Sequence, residues 1–149
     1  MTVSKSDKVN YYKSIFMEQI IGGNGVHKDD NPETLKEAVA LIVKATPDSI
    51  TKKIKEGSYD PGYAHHGFGM WMRNNWGLWS GSKLQDWFHE KGIRHADDMS
   101  GIILETVKRD ICGDDWDVPG QVKHYREYWK DQGVDPDMIG KNIDPSSNE

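Results

Sequence analysis

The sequence predicts an all-α fold: a single compact domain of six to seven helices with a flexible acidic C-terminal tail. Three observations carry that expectation. Apolar residues recur three and four positions apart in segment after segment, the period of one helix face. Ser, Thr, Asn, Pro and Gly stand where such segments begin and end. No segment shows the strict alternation of a half-buried strand. The domain is expected over residues 1–132, with 1–31 as an N-terminal helix and loop, and the tail over 133–149.

Taken in order, Val9, Tyr12, Phe16 and Ile20 follow the helical period, and Gly22-Gly23 stops them. GGNGVHKDDN is a polar loop. Asn31 is expected to cap the next helix with Pro32 at its first position, and Leu35, Ala38, Val39 and Ile42 form its apolar stripe. Thr46-Pro47 repeats that start signal before Ile50 and Ile54, and Gly57 ends the helix. SYDPGYA reads as a turn. A helix is expected from His65 to Trp76 in spite of Gly67 and Gly69. Ser82 caps a short helix bearing Leu84, Trp87 and Phe88, closed by Gly92. From Ala96 to Ile111 a ridge of Met99, Ile103, Val107 and Ile111 predicts a long helix with Gly113 beyond its end. A last helix from Pro119 to Asp131 carries Val122, Tyr125 and Trp129. From Gly133 the composition turns to Asp, Pro, Gly, Ser and Asn, which bury too little to order themselves.

A chain of 149 residues is long enough to bury a real core, and 36% hydrophobic with 29% charged residues is the balance of a soluble globular protein. No apolar run approaches the ~18 residues of a membrane span. The opening MTVSKSDKVN lacks the apolar stretch of a secretory signal, so a cytoplasmic location is expected. The net charge of −5 is unevenly placed. Residues 1–112 hold 15 acidic and 15 basic side chains, whereas 113–149 hold nine acidic against four basic. A neutral body and an acidic end offer no footprint for a phosphate backbone, which argues against direct nucleic-acid binding.

HHGFGMWMRNNWGLW, residues 65–79, is the densest constellation. Eight of the 15 aromatics fall between Tyr59 and Phe88, which places the centre of the domain there. On a helix Phe68, Met72 and Asn75-Trp76 share one side, and His66, Met70 and Arg73 another. Gly67 and Gly69 each cost ~1 kcal/mol against Ala in a helix interior, so something must pass close to the backbone there. Arg73-Asn74-Asn75 has two readings. As structure, Arg73 pairs with a carboxylate, Asp97 or Asp98, and an Asn satisfies loop carbonyls. As a site, a guanidinium, two amides and indoles suit a carboxylate or nucleotide-like ligand. Asp97 and Asp98 also stand in a first helical turn after His95, where carboxylates complement free N–H groups.

PETLKEAV, GFGMWMRNNWGLWSGSKLQDWF, GIRHADDMSGIIL and YREYWK together resemble a family of small bacterial and phage proteins classed only as a domain of unknown function. The resemblance runs from about Pro32 to Lys130. Its pattern implies a proline where this chain has Ala96. It supplies no reaction, cofactor or catalytic residue. What it implies is a setting, an accessory factor of phage–host conflict such as a defence inhibitor or immunity protein, acting in the host cytoplasm.

The candidate ligand- or partner-binding residues are Tyr63, His66, Arg73, Asn74, Asn75, Trp76, Trp79, Ser80, His95, Asp97 and Asp98. No catalytic residue, cofactor or metal is expected. His65, His66, His95, Asp97 and Asp98 lack the spacing of a closed metal site, GxSxG is absent, and Cys112 reads as a buried inert thiol. Another protein is the expected partner. The alternative is a small-ligand or nucleotide binder, or a hydrolase, built on the Trp/Arg/Asn pocket with His66 or His95. Trp79 either folds back on Leu84 and Phe88 as core or stays at the surface for a partner.

Overall fold

In the computed structural model, which describes residues 18–141, Thr34 and not Asn31 opens the first named helix, α1 (Leu35–Ala45). The Thr34 hydroxyl accepts from Glu37 N at 3.2 Å, and the Glu37 carboxylate accepts from Glu33 N at 2.6 Å. One orphan donor of the first turn, Glu37 N, is thereby satisfied, and the residue before the cap is tied to that turn. Asn31 instead takes a left-handed conformation (φ 43°) at the end of a 3₁₀ turn, Lys28–Asp30, inside the segment read as plain loop. Leu35, Ala38, Val39 and Ile42 are buried as the stripe required. Thr46 also differs from its expected role: its hydroxyl donates back to the Ile42 carbonyl at 2.7 Å, and Pro47 precedes α2 (Asp48–Lys55).

Asp60 caps a 3₁₀ turn, Pro61–Ala64, that runs into a π-helical turn, His65–Gly69, and then α3 (Met70–Asn75). Ser82 caps α4 (Lys83–Glu90) through Gln85 N at 3.0 Å. The long helix is α5 (Ala96–Cys112), with His95 as its cap and Gly113 in the left-handed region beyond it. Next comes α6 (Val118–Asp131), followed by a 3₁₀ turn, Pro136–Met138.

α5 is the hub, touching α1, α2, α3, α4, α6 and both turns before α3. It is buried on more than the single expected ridge: Ile102, Leu104, Ser100 and Thr106 are covered as well as Met99, Ile103, Val107 and Ile111. A helix enclosed on most sides must satisfy its polar groups internally. Ser100 donates to the Asp97 carbonyl, and Thr106 donates to the Ile102 carbonyl while accepting from Gln121 Nε2. α6 is much less covered, with Gln121 its one fully buried residue.

At the N-terminal end, residues 18–20 are helical and Ile20 is fully buried; Val9, Tyr12 and Phe16 lie outside the described residues. A Cβ on Gly25 would overlap the Ile20 carbonyl, so this turn requires glycine. At the other end, residues 133–141, the start of the expected tail, make contacts with the body. Arg126 pairs with Asp137 at 2.8 Å, Arg94 Nε donates to the Ile139 carbonyl at 2.8 Å, and Pro136 is buried. Two arginines on the body supply the anchors that composition alone does not reveal. Among the described residues no helix is long and apolar enough to cross a membrane.

Candidate functional site

The tryptophan-rich segment divides into a packed half and an open half. Phe68, Met72 and Trp76 are core, and Trp76 Nε1 donates to the His27 carbonyl at 3.1 Å. Arg73 is 5% exposed. Its Nε lies 3.2 Å from Asp97 Oδ1, and one terminal nitrogen donates to Ser100 Oγ at 2.7 Å and to the His65 carbonyl at 3.4 Å. The guanidinium therefore ties α3 to the first turn of α5 and to the π turn. Gly69 makes room for it, since a Cβ there would sit 3.1 Å from that nitrogen. Asn75 donates to the Trp71 carbonyl at 2.9 Å, within its own helix, and Asn74 is exposed. The structure thus gives Arg73 the part of a structural knot.

The open half starts at Trp79, which is 54% exposed and does not fold back as core. The turn that carries it is fixed. Gly77 is left-handed (φ 70°), and a Cβ on it would come within 2.8 Å of Ser82. The Gln85 amide donates to the Leu78 carbonyl at 2.9 Å and to that of Trp79 at 3.5 Å, so these carbonyls are engaged within the chain. Ser80 is exposed. The Trp79 ring meets His95 edge-on at 5.8 Å; His95 stacks on Trp129 at 5.3 Å; Trp129 meets Tyr128 edge-on at 5.2 Å. A continuous aromatic strip results, drawn from the α3–α4 turn, the α5 cap and the end of α6. Its outer members, Trp79 and Tyr128, are 54% and 50% exposed. Tyr63 is partly exposed but packs on Tyr59, and His66 packs on His65, so neither joins the strip by ring contact.

Beside the strip lies a cleft of about 470 Å³ bounded by His65, His95, Asp98 and, from α6, His124, Tyr125 and Trp129, with Asp97 and Tyr128 also on its lining. Asp98 Oδ2 accepts from Trp129 Nε1 at 2.7 Å. Burial pushes the Asp98 carboxyl up, against the pull of that hydrogen bond and of His95. Burial, and then the Arg73 charge, hold His65 below the usual histidine value, which keeps its ring neutral near pH 7. Burial and the Asp98 charge raise the Tyr125 phenol. A second cleft of about 560 Å³ shares His65, His124 and Tyr125 and continues along α5 past Glu105.

Sequence reasoning missed the α6 wall. Tyr125 and Trp129 were legible as an apolar stripe, but nothing in their spacing says that one margin of it meets His95 and Asp98. Among the described residues no group of three or more His, Cys, Asp or Glu side chains is placed to hold a metal ion. Cys112, expected to be buried, is exposed at the end of α5, with its thiol 3.8 Å from the Ile54 carbonyl.

The fold and this surface define a small helical domain with a continuous aromatic strip flanking a cleft that holds Asp97 and Asp98. Residues 31–111 match the family described as Domain of unknown function (DUF6794), and the chain belongs to that family. The match ends with α5, short of the Lys130 expected from the sequence, so YREYWK and the α6 wall lie outside it. No curated protein and no solved structure matches the chain.

Proposed function

We propose that the protein is an interaction factor that binds another protein through the strip Trp79–His95–Trp129–Tyr128. One observation carries the reading: four rings from three separate elements lie in continuous contact at the surface, with both outer rings half exposed. A core would bury them. A surface without a partner gains nothing from holding them out, because each ring leaves apolar area in water. Tyr and Trp in such a position are the residues that dominate protein interfaces, and mutual contacts fix their rotamers before binding, which lowers the entropy cost of association. The internal bonds of Arg73 and Trp76 favour this reading over a small-ligand site built on them.

Trp79→Ala tests the proposal. At 54% exposure the ring contributes little to the core, so unfolding free energy should change by about 0.5 kcal/mol or less. Affinity capture from host lysate should give a defined partner with the wild type and lose it with the variant. Equal capture by both proteins, or a loss of stability near the ~3–5 kcal/mol of a core aromatic, would defeat the reading. An accessory role in phage–host conflict is the setting we attach on the sequence resemblance. It predicts that expression changes phage plating and that Trp79→Ala abolishes the change.

A further inference from the structure

Asp98 is nine-tenths buried, and its recorded partner is the neutral indole N–H of Trp129. Among the described residues no lysine or arginine lies within ion-pair distance of it; the adjacent guanidinium, Arg73, is committed to Asp97. A buried carboxylate with no lysine or arginine partner is an unfavourable arrangement; His95 and His124 are the titratable groups that face it, and it borders an open cleft lined also by Tyr125, Tyr128 and Trp129. In the adjoining cleft the lining continues with Asp60, paired with Lys108 at 3.3 Å, Glu105, paired with Arg109 at 3.1 Å, and Asp117, which has no lysine or arginine partner among the described residues. Asp98 and Asp117 thus leave the two clefts with an excess of negative charge, which favours a cation over an anion.

We propose that the cleft takes an alkylammonium or guanidinium group, the side chain of a lysine or arginine on the protein that the aromatic strip engages. The proposal rests on the interaction reading and names its partner's chemistry. A cation placed there supplies the permanent positive charge that Asp98 lacks, and a face of a Tyr125 or Tyr128 ring can attract it further. About 470 Å³ accommodates the head group together with its alkyl chain. An apolar group would exclude water from Asp98 without compensating it. A carboxylate or phosphate would add like charge.

The test uses the full chain and the Trp129 indole N–H, which hydrogen-bonds Asp98 and so reports directly on it. Butylammonium, butylguanidinium and butyrate are titrated at constant ionic strength while the indole resonance is followed by NMR. A saturable shift with the cations and none with butyrate is expected, and Asp98→Asn should weaken the cation response at least tenfold. Asn keeps an acceptor for Trp129. Tyr128→Ala, at a half-exposed position, gives a second variant that should weaken the response several-fold without unfolding. No saturable shift with either cation, an equal shift with butyrate, or undiminished response in both variants would overturn the proposal. Trp79 does not line the cleft, so Trp79→Ala separates the two readings. Lost capture without any cation response removes the cation site and leaves the strip standing. Cation binding with capture undiminished in Trp79→Ala does the reverse.

Discussion

Arg73 and Asp97 are unequal partners, and the inequality decides which one the fold can lose. The Arg73 side chain is 6% exposed and that of Asp97 46%. Removing Arg73 leaves a carboxylate that water already reaches; removing Asp97 strands a guanidinium in the core with only Ser100 and a long contact to the His65 carbonyl. Asp97→Ala should therefore cost about 3 kcal/mol, at the low end for a broken buried pair because two acceptors remain. Arg73→Met, which fills most of the volume without charge, should cost about 1 kcal/mol. Urea unfolding at pH 7 measures both, and the opposite order would mean that packing, not charge, is what Arg73 supplies. Asp98 makes a different prediction. Burial raises its folded-state pKa above the unfolded value. Its favourable contribution is then complete below the unfolded pKa and is lost as pH rises through the folded one. Ionising this carboxyl therefore weighs against the fold. Asp98→Asn should melt higher than wild type at pH 7, with the gap closing as pH falls through the carboxyl range. A lower melting temperature at pH 7 would show that burial is not what governs this group.

At the scale of elements, the π turn at His65–Gly69 shows where reading the sequence stops. A helix was legible there because Phe68, Met72 and Trp76 keep helical spacing, but a turn widened by one residue leaves no separate mark in an apolar pattern this short. The glycines hinted at a close approach; what approaches Gly69 is the chain's own Arg73. The caps divide in the same way. Ser82, His95 and Gly113 stand where the periodic residues begin or end, and the structure uses them. Asn31-Pro32 looked like an equally good start, yet the Thr34 hydroxyl caps Glu37 N while Asn31 takes a left-handed conformation. For the site, Trp79, His95, Asp97 and Asp98 were legible as chemistry without a location. Trp129 and Tyr128 were not, because the contact that recruits Trp129 joins it to Asp98, 31 residues back in the chain. Gly69→Ala tests the π turn as an element. Helix propensity alone would stabilise it by ~1 kcal/mol. The new methyl group meets a guanidinium held by Ser100 at 2.7 Å and Asp97 at 3.2 Å, which has little freedom to retreat. The substitution should instead destabilise by about 1 kcal/mol, read by urea unfolding; a gain in stability would show that the knot can shift.

Across the whole molecule, stability is concentrated around α5, while the proposed binding surfaces depend on α6. One flank of α6, with His124, Tyr125 and Trp129, walls the cleft that holds Asp97 and Asp98. The other, with Val118, Val122, Lys123, Arg126 and Lys130, borders a groove shared with Trp87 and Lys91. This helix buries little and is fastened by separate polar ties. Gln121 reaches Thr106 at 3.1 Å, Trp129 reaches Asp98 at 2.7 Å, and Arg126 reaches the Gly92 carbonyl at 2.9 Å while pairing with Asp137. Few apolar contacts and many exposed backbone bonds are the conditions for local opening at a free energy below that of global unfolding. α6 together with residues 133–141 should therefore open as a unit before α1 and α5. In hydrogen exchange, peptides covering 118–131 should exchange well ahead of those covering 96–112. Asp137→Ala, which removes the anchor of the C-terminal segment, should speed exchange near the end of α6 and leave α5 unchanged. If both helices exchange together in both proteins, the domain is a single cooperative unit and the strip is as rigid as the core. If α6 opens alone, a partner that grips Trp79 and Trp129 at once must also hold α6 in place, and its binding should slow exchange in 118–131 more than anywhere in α5.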